Sequence, residues 1–244
     1  MNMIEFFRQR LNQFRSLIRR PKYRRISQRI NLDGFDLKYG TDTAPLMDTY
    51  SSAKRPMYRY ETATTAAIIT ALDSLQSDFS NFTFLDFGCG KGKPLIIAAG
   101  YSFLRVIGVD IDASCIALAA ENIKICGLTE RIELFVADAT EFPLPEGPLL
   151  VYLFNPFPAP IVAQVLQRLV QRVQTSPVPV AILYMNPEHA GLIEKSGVFR
   201  EVARTVGVSI EYERSIAFVS ISPTTPRPND HSEFKRGKSS GFVA

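Results

Sequence analysis

Residues 84–92 read FLDFGCGKG. A short apolar run ends in an acid, three glycines follow at alternate positions, and Pro94 stands at the start of the next apolar stretch. Such glycines let the backbone approach a ligand closely, and a helix that starts just beyond them offers N–H donors to an anion. A strand, a glycine turn and a helix in this order belong to open α/β sheets, which bind ligands at the carboxyl ends of their strands. Dinucleotide-binding turns take the spacing GxGxxG. Here the spacing is GxGxG, and Lys93 stands where the third glycine would be, which disfavours NAD and FAD.

The pattern on either side repeats the alternation. Apolar strands are expected at 81–86, 105–110, 132–137, 149–154 and 178–185, with helical spacing at 61–75, 94–101, 113–126, 161–174 and 188–196. Short strands alternating with helices imply a doubly wound, parallel sheet. Two closing strands, 199–206 and 212–221, have only Gly207, Val208 and Ser209 at the turn between them, so they pair antiparallel. The expected fold is α/β, with a mostly parallel, Rossmann-like sheet of seven strands. Residues 33–52 show little periodicity and read as a structured loop.

The net charge of +4 is unevenly spread. Residues 1–30 hold nine Lys and Arg against one acid, Glu5, and residues 222–244 hold four against two. The remaining 15 basic and 21 acidic residues leave the central segment mildly acidic, which argues against a nucleic-acid groove on it. The first segment places Ile4, Phe7, Leu11, Phe14 and Ile18 on one face of a helix closed by Pro21. This basic, amphipathic extension could pack on the domain, dock a substrate or, through residues 1–20, lie on an anionic membrane surface. It has no apolar core of a secretory signal; its Arg-rich, acid-poor make-up resembles a mitochondrial presequence, against a main expectation of a cytoplasmic protein. The uncharged run 147–167 is broken by Pro148, Pro156, Pro158 and Pro160, so it reads as strand, loop and helix rather than a membrane span. Three cysteines without a CxxC pair make a zinc site and a disulfide framework poor expectations, and no metal is expected. The organisation read from these features is an extension over 1–57, one domain over 58–222 and a loose tail over 223–244.

From about residue 60 to 221 the chain resembles the class I S-adenosylmethionine-dependent methyltransferases. Four motifs carry the likeness in register: Asp86 with the GxGxG of Gly88, Gly90 and Gly92; Gly108-Val109-Asp110-Ile111-Asp112 after the second strand; Ala137-Asp138-Ala139 after the third; and Asn155-Pro156-Phe157-Pro158 after the fourth. The resemblance implies S-adenosyl-L-methionine as cofactor. Asp86 would pair with its ammonium, and the backbone N–H groups of Gly88, Cys89, Gly90 and Gly92 would hold its carboxylate. Asp110, followed by Ile111, would accept from the ribose hydroxyls, and Asp138 or the backbone at Ala139 from the adenine amine. Asn155, Pro156 and Phe157 occupy the substrate-facing loop. In amino-methylating members that loop holds Asn or Asp, two prolines and an aromatic. Here Phe157 and Pro158 exchange the last two, which puts a nucleobase or glutamine acceptor in doubt.

A looser resemblance links Tyr39-Gly40-Thr41-Asp42-Thr43, the GxGKG loop and the Asn-Pro-Phe loop to uncharacterised bacterial methyltransferases that are similar to lysine methyltransferases of the Dot1 and FAM173 kind. It implies that Tyr39–Thr43 and Tyr58–Glu61 close over the cofactor. The expected activity is methyl transfer to a nitrogen, on a protein lysine. A small-molecule or RNA-base acceptor, a cofactor-binding protein without catalysis, and an NAD-linked enzyme are the alternatives. Among the other residues, Asp112 reads as a helix cap, Cys89 as filler in the turn, His189 as part of a short helix, and Lys91 and Lys93 as solvated loop lysines.

Overall fold

The computed structural model describes residues 34–44, 62–206 and 214–221. The basic N-terminal stripe with its expected partners, Tyr58–Glu61 and the C-terminal tail lie outside the described residues. In chain order the elements are α1 (Phe35–Tyr39), α2 (Thr65–Asp73), β1 (Thr83–Phe87), α3 (Lys93–Ala98), β2 (Arg105–Asp110), α4 (Ala113–Ile125), β3 (Ile132–Val136), β4 (Leu149–Phe154), α5 (Ala159–Thr175), β5 (Val180–Met185), α6 (Ala190–Lys195), β6 (Phe199–Thr205) and β7 (Ser215–Ser220). The strands form one seven-stranded sheet in the order β3-β2-β1-β4-β5-β7-β6. The first five pair in parallel, and β7 runs antiparallel to both β5 and β6. This is the expected fold class.

The central strands TFLDF, LLVYLF and VAILYM are nearly continuous apolar runs because both faces of the sheet are covered. Alternate side chains enter two separate cores. Leu150, Tyr152, Leu183 and Met185 pack with Ile68, Leu72, Leu95 and Ile123, on the side of α2, α3 and α4. Leu149, Val151, Leu153, Ile182 and Tyr184 pack with Val165, Leu169 and Ile193, on the side of α5 and α6. Gly108 lies in the middle of β2 because a Cβ there would strike Leu95, Cys89 and Leu134. The glycine is what lets α3 and the turn before it sit tightly on the sheet.

Strand order reverses between β1 and β4, where Asp86 lies in register with Tyr152. Ligands of open α/β sheets bind in the crevice at such a switch point. The loop between β3 and β4 is tied down by α5. Arg168 donates to the carbonyls of Ala139 and Phe142, at 3.0 and 2.5 Å, and Arg172 donates to that of Gly147 at 2.6 Å.

The segment expected as loop contains the short helix α1, bounded by Gly34 (φ 72°) and Gly40 (φ 73°), both left-handed. Beyond it, the buried Asp36 carboxylate gathers the chain. Its Oδ1 accepts from the Thr41 hydroxyl at 2.7 Å, the Thr43 N–H at 2.8 Å and the Thr43 hydroxyl at 2.7 Å, and its Oδ2 accepts from the Ala44 N–H at 2.9 Å. The strap so formed is fastened to the glycine turn. Lys91 Nζ pairs with Asp42 Oδ1 at 3.0 Å and donates to the Ala44 carbonyl at 2.7 Å. Asn122 of α4 donates to the carbonyls of Asp42 and Lys91, both at 3.0 Å, and accepts from the Asp42 N–H at 2.8 Å.

Lys91 and Lys93 are therefore corrected: both are buried, not solvated. The Lys93 ammonium lies 5.3 Å from the centre of the Phe35 ring, a cation–π contact with α1. Lys91→Met would leave the Asp42 carboxylate pressed against the glycine turn with no counter-charge. The expected loss is about 3 kcal/mol, the lower end of the cost of breaking a buried pair. A urea midpoint unchanged from the parent protein would contradict this role.

Candidate active site

Asp86 is the penultimate residue of β1, and its carboxylate is sealed in the sheet at 1% exposure. Its Oδ2 has no hydrogen-bond partner among the described residues. Burial pushes the carboxyl well above the usual carboxylate range, and the nearby Asp110 charge adds to the effect. A carboxylate held this way is costly unless a cation reaches it. The same burial pushes the Cys89 thiol well up, with Asp86 and Asp110 contributing, so it stays neutral and fills the turn.

The glycine turn is left-handed at Gly88 (φ 80°), Gly90 (φ 51°) and Gly92 (φ 84°), conformations that glycine takes without strain. Its N–H groups, expected to face a carboxylate, are mostly committed to β2, and one stays within the turn. Gly88 and Cys89 both donate to the Val109 carbonyl, at 2.8 and 3.1 Å, and Gly92 donates to that of Cys89 at 2.9 Å. Gly90 donates to Asp110 Oδ2 at 2.8 Å, and Asp112 N–H donates to Asp110 Oδ1 at 2.9 Å. Asp110 thus joins the end of β2 to the turn after β1, and each oxygen keeps a further lone pair. Ile111 follows it with 48% of its surface exposed, an open apolar wall beside the acid. Asp112 caps α4 by accepting from the Ser114 N–H at 2.8 Å.

After β3, Asp138 Oδ1 accepts from the Thr140 N–H at 2.8 Å and the Thr140 hydroxyl at 2.7 Å. The side chain organises its own loop, and the carbonyl of the buried Ala139 is taken by Arg168. After β4, Asn155 has φ 40°, a left-handed backbone that asparagine tolerates better than most residues. Its Oδ1 lies 3.5 Å from the Tyr184 hydroxyl, the limit of a hydrogen bond. Pro156 closes on the glycine turn: a Cβ at Gly88 would come to 2.6 Å of the Pro156 Cβ. The loops after β1 and β4 are therefore in contact only because residue 88 is glycine. Phe157 is half-buried against the core on the side of α5 and α6. His189 stands at the N-cap of α6.

The structure thus gathers Asp86, the glycine turn, Asp110, Ile111 and the Asn155 loop around the switch point, with Asp138 and Ala139 in the next loop along the sheet. Sequence reasoning missed the partners of the turn, Asp42 and Asn122. Three closely spaced polar residues, Thr41, Asp42 and Thr43, were the signal that an ordered loop stood there.

Residues 84–176 match the family model described as "Methyltransferase domain". The matched stretch runs from within β1 to the end of α5 and is similar to that domain. A 74-residue stretch is 42% identical to a ribosomal protein L11 methyltransferase of Yersinia pseudotuberculosis, covering 30% of this chain and 25% of that one. The match therefore spans about a quarter of that relative's length. Among solved structures, the chain is similar to a ribosomal protein L11 methylase from Lactobacillus delbrueckii subsp. bulgaricus, with TM-score 0.47, 16% identity, and coverage of 68% of this chain and 81% of that one. It is also similar to the N-methyltransferase NodS from Bradyrhizobium japonicum, with TM-score 0.49, 14% identity, and coverage of 65% and 95%.

S-adenosyl-L-methionine is the cofactor that this likeness implies, and the residues present fit it. The unpartnered Asp86 oxygen suits the ammonium, the remaining lone pairs of Asp110 suit the ribose hydroxyls, and Ile111 offers an apolar face to the adenine.

Asp110→Ala is expected to weaken binding of S-adenosylhomocysteine by about 1.5–3 kcal/mol, the scale of losing charge-assisted hydrogen bonds. Unaltered affinity by calorimetry would remove Asp110 from the site. Asp86 carries two opposite expectations. Its folded pKa lies above its unfolded value, so the ionised group costs stability at every pH above the unfolded pKa, neutral pH included. Asp86→Asn should therefore raise the melting temperature of the ligand-free protein while lowering S-adenosylhomocysteine affinity at least about tenfold. A variant that melts higher yet binds as the parent does would show that the ammonium sits elsewhere.

Proposed function

We propose that the protein transfers a methyl group from S-adenosylmethionine to an amine nitrogen on a protein, with lysine as the acceptor side chain. The observation that carries this is Asn155, left-handed at the end of β4, beside the turn that holds the cofactor and packed to it through Pro156 and Gly88. Its side-chain and main-chain oxygens can accept from a nitrogen that donates N–H. The 74-residue match adds support, since that relative is named for methylating a ribosomal protein. The narrower likeness to Dot1 and FAM173 enzymes rests on the strap and the GxGKG loop, which the structure brings together at Lys91 and Asp42.

The bound cofactor supplies an activated methyl group on a sulfonium. What remains for the chain is to place a nucleophile and exclude water, which alone can supply much of the barrier reduction. A lysine amine, with reference pKa ~10.4, must first lose its proton. A desolvated approach favours the neutral form. The apolar rim offered by Pro156 and Phe157 serves that end, and Asn155 accepts from the amine without giving it a proton.

The test pairs two measurements on one variant. Asn155→Ala would add backbone strain at φ 40°, whereas Asn155→Gly removes the carboxamide and keeps the conformation. With tritiated S-adenosylmethionine and separated protein and RNA fractions of a bacterial lysate, the parent should label protein. Asn155→Gly should lower that labelling about 10²-fold, or about 2.7 kcal/mol, with cofactor affinity little changed. Label confined to RNA or small molecules would overturn the protein acceptor. Full labelling by Asn155→Gly would remove this residue and the case for nitrogen.

A further inference from the structure

Two Asn-Pro pairs stand at the carboxyl ends of neighbouring strands. Asn155-Pro156 follows β4 and Asn186-Pro187 follows β5. The two strands are parallel, with Phe154 opposite Met185, so the asparagines leave the sheet at the same level. Both are left-handed, φ 40° and φ 46°. Only three non-glycine residues among those described have positive φ, and these asparagines are two of them. A non-glycine residue persists there only where its surroundings fix it, and such residues gather at functional sites.

The backbone of Asn186 is so fixed. Its N–H donates to the Arg214 carbonyl at 2.7 Å, and its carbonyl accepts from the Glu188 N–H at 2.8 Å. Its side chain is not. The residue as a whole is 4% exposed; its carboxamide makes no side-chain hydrogen bond among the described residues and is not one of the sealed, unpartnered groups, so it is open to a ligand. The strand itself already reaches toward the first asparagine, since the Tyr184 hydroxyl lies 3.5 Å from Asn155 Oδ1.

We propose that Asn186 is a second acceptor-binding residue, whose carboxamide oxygen works beside that of Asn155 to hold the amine nitrogen. The inference deepens the reading above and rests on it. A neutral primary amine has one lone pair and two N–H bonds. When the lone pair attacks the methyl carbon, the carbon–sulfur bond breaks, the electron pair stays on sulfur, and one N–H proton leaves the nitrogen for water. Both N–H bonds then point away from the cofactor. Two carbonyl oxygens at the ends of adjoining strands, on the side of β1 away from β2 and β3, can take one N–H each. A hydroxyl acceptor has one O–H and would use only one of the two, so the pair selects for a primary amine.

The experiment uses the full chain saturated with S-adenosylhomocysteine and titrated with n-butylamine at alkaline pH, followed through the side-chain amide resonances of asparagine. The resonances of Asn155 and Asn186 should move together, with one midpoint. Asn186→Gly keeps the left-handed backbone and removes the carboxamide. It should weaken n-butylamine about tenfold, while S-adenosylhomocysteine affinity stays within about twofold. Movement of Asn155 alone, movement of neither, unchanged amine affinity in Asn186→Gly, or an equal fall in both affinities would each overturn the proposal. A parent protein that labels only RNA would defeat the protein-acceptor reading, while the titration would still judge Asn186.

Discussion

A carboxylate sealed inside a sheet with an oxygen unpartnered is the constraint around which this molecule is arranged. Asp86 sits where β1 ends and the chain must turn, at the point of the sheet where strand order reverses. Burial holds its pKa up, and Asp110 on the next strand reinforces the effect instead of relieving it. A protein selected for stability alone would place an amide or an apolar residue there. An acid there fits a cation that arrives from outside, and in the proposed reading that cation is the cofactor ammonium.

The surroundings keep that acid in place. Gly88 admits Pro156, so the loops after β1 and β4 touch. Asp110 bonds to Gly90, so the loops after β1 and β2 move as one. Lys91 and Asn122 fasten the same turn to a strap from far upstream, itself drawn together by the four hydrogen bonds to Asp36. Three strands, one helix and one strap therefore converge on five residues. The turn has spent most of its own N–H groups on this convergence, so rigidity of the site comes before direct contact with the ligand.

The sheet was legible in the sequence because its signals are local. The runs of β2 and β4 fall where the alternation of apolar stretches placed them, and the absence of a helix between the last two strands announced their antiparallel pairing. Asp112 could be read as a cap because a cap needs only its own next few residues. What sequence could not show was partnership over distance. Lys91 looked solvated because Asp42 stands 49 residues away and Asn122 another 31 in the other direction. α1 was hidden for a related reason: a five-residue helix between two glycines has too few turns to display a period. Asn186 escaped notice although its Asn-Pro pair repeats that of Asn155, since only the pairing of β4 with β5 makes the repeat meaningful.

The central claim is that Asp86 meets the cofactor ammonium as a carboxylate. Calorimetry of S-adenosylhomocysteine binding, repeated in buffers of different ionisation enthalpy from mildly alkaline to mildly acidic pH, tests it most directly. Burial raises the Asp86 pKa, so wherever the free protein carries a proton there, that proton must leave when the ammonium binds. The account predicts proton release that grows as the pH falls through the raised pKa, with affinity weakening over the same range, and both effects absent in Asp86→Asn. Binding with no proton release at any pH, or the same release in Asp86→Asn, would contradict it.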